Sequence, residues 1–378
     1  MASDDGSIKE AVITIKVFGV GGGGNSVLKR IAEGGFADVE LVAVNTDANQ
    51  LRMLGMSNIK TVQIGEALTK GRGTGGNPAL GMQAAKAEEA KIKAIMQGAD
   101  LIFITAGMGG GTGTGASPVV ARIAKELGIL TVGVVTVPFK FEGARKRRIA
   151  DEGIVKLQSY MDALIAVQNE NLMKLPDNKI TLVNAFHTAD EVLKDAISCV
   201  VELILTTGVV NVDFADVATI FRQSESSDAL LGIGKSKVSA VTAVQQAVES
   251  PLIEKSLKGA RGMILNITGD DTLTLYDVSE ATRYIYKQTE DDVNIIFGTV
   301  LDKKMNGVVQ ATIIATDFAD SLALKSPTVP VPESKVTVSK EFSLDTPSFM
   351  RKDAKGAPEK AFAIPAFKLA PDDEPPKK

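Results

Sequence analysis

Two stretches of the chain leave backbone bare. Residues 19–25 read GVGGGGN and residues 106–118 read AGMGGGTGTGASP. Glycine loses much entropy on folding and brings no side chain to a core, so a dense run needs a reason. A run that opens a helix exposes N–H donors at the positive end of the helix dipole, which favours an anion. Ordinary turns need one or two glycines. Two such runs have the reach to wrap a di- or triphosphate. Gly19, Gly21 and Gly24 have the G-x-G-x-x-G spacing of a dinucleotide turn, with Glu40 or Asp47 as the downstream acid. That reading, a nicotinamide-dependent oxidoreductase, leaves the second run without a job. A Walker A loop needs Lys before Ser26, where Asn25 stands. A third stretch spaces Asn211, Asp213 and Asp216 as N-x-D-x-x-D, the chemistry of a turn or of a cation site. One cysteine, Cys199, and one histidine, His187, exclude an internal disulfide and a Cys/His metal site. Cys199 reads as core, and His187 as a solvent-facing residue ahead of a helix cap.

Such groups need rigid elements to aim them. Short apolar runs rich in Val and Ile at 13–20, 39–45, 101–106, 130–137 and 163–167 read as strands, with helical patterns between most of them. This alternation predicts a parallel sheet covered on both faces. Residues 188–206 form the clearest helix, with apolar residues recurring from Ala189 and Val192 to Ile204 and Leu205. Thr188 and Glu191 have capping-box spacing, and Gly208 is placed as a helix stop. Strand patterns at 262–267, 293–300 and 309–316 predict a second, smaller α/β domain. After Asp317 the composition changes, and Pro, Ser, Lys and Glu dominate 326–341, the composition of a disordered linker. The expected division is an N-terminal segment 1–11, a nucleotide domain 12–184, a central helix 185–207, a second domain 208–318, a linker 319–343 and a tail 344–378.

The totals narrow the function classes. The chain has 378 residues, 44% of them hydrophobic, enough for two packed cores. A net charge of −4 argues against a nucleic-acid binder driven by global charge. No apolar stretch reaches the roughly 18 to 20 residues of a membrane helix, and the start MASDDGSIKE is too acidic and polar for a signal peptide. The expected location is the cytoplasm.

The stretch GGGTGTG at 109–115 matches the tubulin signature loop, and the chain resembles the FtsZ family from about residue 12 to residue 318. Further motifs carry the likeness: Asn45-Thr46-Asp47, TKGRGTGGNP at 69–78, Phe141-Glu142-Gly143, and GVVNVDFAD at 208–216. The resemblance implies a tubulin/FtsZ-like two-domain fold: a parallel-sheet GTP-binding domain, a long central helix, a smaller α/β domain and a disordered tail. It implies a GTPase, converting GTP to GDP and phosphate in a polymerisation-dependent way, with Mg2+ or K+ accompanying the nucleotide. The implied GTP contacts are Gly21, Gly22, Gly23, Gly24, Asn25, Asn45, Asp47, Gly75 and Gly76, then Gly107, Met108, Gly109, Gly110, Gly111, Thr112, Gly113, Thr114 and Gly115. Glu142 would meet the ribose, Phe186 would stack on guanine, and Asp190 would accept from its N1 and N2 donors, since a carboxylate offers only acceptors. Asn25 and Asn169 would add base or sugar contacts, and Lys146 stands where the family has a nucleotide-contacting Arg. Asn211, Asp213 and Asp216 would reach a neighbouring subunit's nucleotide and polarise the attacking water. Leu344, Asp345, Pro347, Phe349, Met350 and Arg351 resemble the family's adaptor-binding motif, and a second island, AIPAF at 363–367, resembles its centre. The implied partners are further copies of the chain in head-to-tail filaments and a membrane-tethering division adaptor of the FtsA or SepF type. Neither nucleic acid nor direct membrane insertion is implied, and the implied place is the midcell ring. A divergent paralogue with a regulatory or non-division role fits the same motifs.

Overall fold

The computed structural model describes residues 13–35, 38–54, 58–174, 181–205, 212–223, 227–290 and 293–318. Ten strands form one sheet: β1 (Ile15–Val20), β2 (Val39–Asn45), β3 (Ile59–Gln63), β4 (Leu101–Gly107), β5 (Leu130–Val137), β6 (Ala163–Gln168), β7 (Asp228–Ser236), β8 (Ala260–Gly269), β9 (Asn294–Leu301) and β10 (Val309–Phe318). Their order is β3-β2-β1-β4-β5-β6-β7-β10-β8-β9. The first six are mutually parallel. β1 and β5 are apolar almost throughout because helices cover both faces of the sheet. The helices Gly21–Gly34 and Leu182–Leu205 pack on one face, and Pro78–Ala87, Glu89–Met96, Thr112–Glu126 and Ala144–Gln158 on the other. The parallel sheet expected of the first half is the one observed.

The second half is mixed. β10 lies antiparallel between β7 and β8, and β9 runs parallel to β8. A short parallel contact, Leu164 with Asp228 and Ile165 with Ala229, makes the two halves one sheet. The sequence pattern had not marked β3 or β7. β3 has five residues with only its first and fourth buried, too brief for a clear period. β7 contains Gly232 and Gly234, which read as turn residues. A Cβ on Gly234 would lie 2.0 Å from the Ala243 carbonyl oxygen, so these glycines let the helix Ala240–Val248 lie directly on the strand.

The central helix runs Leu182–Leu205, starting earlier than its apolar stripe suggested. Thr181 Oγ1 accepts the Asn184 N–H at 3.3 Å, so the chain turns into the helix there. Thr188 is inside the helix and donates its hydroxyl to the Asn184 carbonyl at 3.0 Å, so the Thr188–Glu191 capping box does not form. His187 is exposed within the helix rather than ahead of it, and Cys199 lies in the core. Gly208 lies outside the described residues, as do 319–378, which hold the linker and the tail. Among the described residues no helix is long and apolar enough to cross a membrane.

Candidate nucleotide site

In the first half the strand order reverses between β1 and β4. In an open parallel sheet, ligands bind in the crevice at the carboxyl ends of the strands flanking such a reversal. The two glycine runs follow these two strands. The helix Gly21–Gly34 starts at the end of β1, and Thr112–Glu126 starts after four intervening residues beyond β4. The loops touch: Gly21 has φ 71°, and a Cβ on it would lie 2.7 Å from the Gly113 nitrogen. The glycines serve different ends. Gly115 is closed in by the helix Pro78–Ala87, where a Cβ would meet the Pro78 carbonyl oxygen at 2.0 Å. Gly110 has nothing within 4 Å of its Cβ position, and Gly22 and Gly23 are exposed. Gly75 and Gly76 are also exposed, on the turn before Pro78. The open floor between the loops is therefore bare backbone at two helix N-termini, a site for phosphate oxygens.

Polar side chains hold that floor in shape. With its amide oriented to satisfy its neighbours, buried Asn25 donates to the carbonyls of Gly19 at 2.8 Å and Gly21 at 3.1 Å. Its oxygen accepts from Asn45 Nδ2 at 2.9 Å, and Asn45 also donates to Gln50 Oε1 at 3.0 Å. Asp47 Oδ1 accepts the Asn49 N–H at 2.9 Å, capping the helix Ala48–Leu54. In the second loop Thr114 Oγ1 accepts the Gly109 N–H at 2.9 Å, and the N–H of buried Met108 donates to the Thr136 carbonyl at 2.9 Å. Thr112 shares hydroxyl contacts with Thr46 at 2.7 Å and Thr74 at 3.4 Å, tying three loops together. Among the described residues no three His, Cys, Asp or Glu side chains converge on a point. A hard cation here would take its oxygens mainly from phosphate and water.

The start of the central helix supplies a flat, half-open surface. Phe186 is 44% exposed and meets Phe139 edge-on at 5.6 Å, while Phe139 stacks on exposed Phe141 at 5.0 Å. Glu142 is held at both oxygens: Oε1 accepts the Phe139 N–H at 3.0 Å and Oε2 accepts from Lys146 Nζ at 3.0 Å. Asn169 is buried at the end of β6, and its Oδ1 lacks a hydrogen-bond partner among the described residues. Asp190, one turn beyond Phe186, faces Arg30 of the helix Gly21–Gly34, with Nε 3.5 Å from Oδ2. Burial pushes the Asp190 carboxyl up to about 6, with Arg30 opposing the rise and Glu191 adding to it. Arg30 and Phe139 escaped the sequence reading, while Phe141 and Thr74 entered it only inside family motifs. Arg30 meets Asp190 and Phe139 meets Phe186 from far along the chain, so no local spacing marks them.

Asp213 and Asp216 stand apart from these groups. Both are exposed at the start of the helix Phe214–Arg222, beyond the far end of the central helix. The 24 residues of Leu182–Leu205 span about 36 Å at 1.5 Å per residue. Asn211 lies outside the described residues, as do Leu344, Asp345, Pro347, Phe349, Met350 and Arg351.

Fold and site are those of an α/β protein with a doubly wound sheet and bare glycine backbone at its switch point. This strand order also serves dinucleotide enzymes, and comparison with known proteins separates the two. The Tubulin/FtsZ family GTPase domain matches residues 14–177, and the FtsZ family C-terminal domain matches 227–319. The chain is similar to an FtsZ from M. jannaschii, solved as an empty dimer, with 40% identity over 80% of this chain and 88% of that one and a TM-score of 0.77. It shares its fold with CetZ2 from Haloferax volcanii, solved as a GTPγS-bound protofilament, with 22% identity over 82% of this chain and 96% of that one and a TM-score of 0.66. The chain belongs to the Tubulin/FtsZ family and is an FtsZ-like protein. Its first half is a GTPase domain of that family, and the nicotinamide reading falls away.

Proposed function

We propose that this protein is a self-assembling GTPase whose subunits polymerise head-to-tail and hydrolyse GTP where they meet. One observation carries the reading. The second glycine loop reaches the start of the central helix through Gly109 against Pro138 and Phe139 against Phe186, while the exposed acids Asp213 and Asp216 follow its other end in the chain. One subunit cannot bring them together, and a second copy stacked end-on can. Backbone N–H groups around Gly22, Gly23 and Gly110 hold the phosphates, Phe186 stacks on the base, Asp190 accepts from its donor edge, and Glu142 meets the ribose. Asp213 and Asp216 of the next subunit, with Asn211 beside them, orient a water in line with the γ-phosphorus. The water oxygen bonds to phosphorus as the bond to the β–γ bridging oxygen breaks, giving GDP and phosphate. Such a transfer needs mainly positioning and charge stabilisation. Mg2+ or K+, when bound, would neutralise part of the phosphate charge.

In the cell the filament would act as the cytoplasmic scaffold of a midcell division ring, tethered through 344–351 by an adaptor of the FtsA or SepF type. The dimer described for the M. jannaschii FtsZ and the protofilament described for CetZ2 support assembly as the family's habit. The decisive experiment is sedimentation with GTP and with GDP, with phosphate release measured on the same samples. Pelleting only with GTP, with release confined to pelleting samples, is expected. Full-rate hydrolysis by chains that never sediment would overturn the proposal. A second reading, a divergent paralogue that co-assembles and turns over slowly, is favoured by Lys146, whose ammonium is engaged by Glu142 in place of the family's Arg. Turnover per subunit within the pellet separates the two.

A further inference from the structure

The helix Gly21–Gly34 packs against the central helix and carries Arg30 at their contact. Arg30 Nε lies 3.5 Å from Asp190 Oδ2, and Nη1 lies 3.7 Å from Glu191 Oε1. The side chains of Arg30 and Asp190 are 21% and 20% exposed, while Glu191 is 60% exposed. The Arg30–Asp190 pair is therefore mostly out of water, and Glu191 is the solvated flank.

We propose that Arg30 is a positioning residue for guanine recognition, holding Asp190 as an anion turned toward the base. The proposal rests on the reading of Asp190 as the acceptor for guanine N1–H and N2–H. A neutral acid at this place would turn a proton toward two donors, whereas an ionised one offers about four lone-pair sites. Arg30 approaches one oxygen and leaves acceptor capacity on both. The charged groups facing Asp190 are Arg30 from the neighbouring helix and Glu191 from its own. Burial and Glu191 favour the neutral acid, and Arg30 alone opposes them. Without Arg30 only burial and Glu191 act on the carboxyl, and it rises further above about 6. Each pH unit of that rise costs on the order of tenfold in the ionised fraction below the new midpoint.

The test uses full-length protein with Arg30→Met, which keeps length and apolar contact, and Arg30→Lys, which keeps charge. Calorimetric titration measures affinity for GTP and for inosine triphosphate, which lacks the exocyclic amine, between about pH 6.5 and pH 8.5. Wild type should hold GTP with little change across that range. Arg30→Met should bind GTP on the order of tenfold more weakly at the acid end and recover toward wild type at the alkaline end. Inosine triphosphate should lose less, and Arg30→Lys should lie between. A loss in Arg30→Met that is equal for both nucleotides and flat with pH would mean a packing role and overturn the proposal, as would no loss at all. If Arg30→Met does not fold, Arg30→Lys still reports: a GTP affinity below wild type at the acid end that recovers toward the alkaline end supports the proposal, and a flat loss or no loss overturns it. Asp190→Asn separates the layers. If it leaves the ratio of GTP to inosine triphosphate affinity unchanged, the reading of Asp190 itself fails. If it changes that ratio and neither Arg30 variant alters the pH profile, only the role of Arg30 fails.

Discussion

Glu202→Gln should stabilise the protein at alkaline pH and do little at acid pH. Glu202 sits near the end of the central helix, where burial pushes its carboxyl up to about 7 from the usual 4.5. Asp195 on the same helix and Asp302 after β9 add to the rise, while Lys194 and the Asn266 amide oppose it. Asn266 Oδ1 and Thr299 Oγ1 nearby in the second half are buried without a partner among the described residues. The sign follows from which state holds the proton. Below the unfolded value both states are neutral and the contribution to stability is intact. As pH rises to about 7 the unfolded chain ionises first, so stability falls. Above that the folded state carries an ionised, buried group. At 1.36 kcal/mol per pH unit the ceiling on this cost is about 3 kcal/mol, and relaxation and water bring it nearer 1 to 2 kcal/mol. Glutamine removes the charge, and its amide can donate toward Asn266 Oδ1. With no tryptophan in the chain, melting is followed by far-UV circular dichroism at about pH 4, below the unfolded value, and at about pH 8. The variant should melt several degrees higher at the alkaline pH, at roughly 2–4 °C per kcal/mol, and within about a degree of wild type at the acid pH. An equal difference at both pH values, or a lower melting point at pH 8, would refute the reasoning, the latter meaning that the carboxylate has a cationic partner.

Asp213→Ala should bind GTP, assemble and hydrolyse poorly, so its filaments should outlast those of wild type in a time course of light scattering; equal loss of binding and hydrolysis would count against a shared site. Mixed with a glycine-loop variant it should recover part of the lost phosphate release. Gly115→Ala should destabilise by about 1 to 3 kcal/mol through overpacking on the Pro78 carbonyl. Gly110→Ala, with open space at its Cβ, should melt within about 0.5 kcal/mol of wild type and still weaken triphosphate binding in a titration. From the sequence alone, Phe349→Ala should abolish binding of tail peptides to a membrane-tethering adaptor, leave GTP-driven sedimentation intact, and exceed the effect of Phe367→Ala.

What the sequence made legible follows from locality. A strand buried on both faces has no choice but to be apolar, so β1, β2, β4, β5 and β6 stand out as runs. The glycine loops stand out because bare backbone is costly and dense. Which glycine faces a ligand and which faces a helix does not stand out, because Gly110 and Gly115 differ only in what the fold brings against them. The central helix was legible where its stripe is regular. Its first turn was not, because Phe186 and His187 face outward there and Thr181, the capping side chain, precedes the stripe. The pairing of Arg30 with Asp190 arises from two helices packed against each other on one face of the sheet and leaves no spacing to read. β7 was hidden for the opposite reason: its glycines carry a local turn signal that close helix packing overrides.

The length of the central helix makes one further outcome unavoidable if the proposed chemistry holds. Reacting groups in a phosphoryl transfer must come within about 3 to 3.5 Å. Phe186 and Asp190 mark the nucleotide end of the helix Leu182–Leu205, and Asp213 and Asp216 lie past its other end. A helix of this length is held by continuous backbone hydrogen bonds, and its buried face is pinned to both halves of the sheet, so bending cannot close a gap of about 30 Å. Catalysis by these acids is therefore second order in subunits at the outset. Phosphate release per subunit should stay near the uncatalysed level below a threshold concentration, then rise and level off as ends find partners. Truncation after 318 should leave that threshold unchanged, since every group invoked lies before it. The measurement is a malachite-green phosphate assay across a concentration series, with scattering read in parallel. Specific activity that is constant down to the most dilute sample would place all catalytic groups in one subunit and remove Asp213 and Asp216 from the reaction.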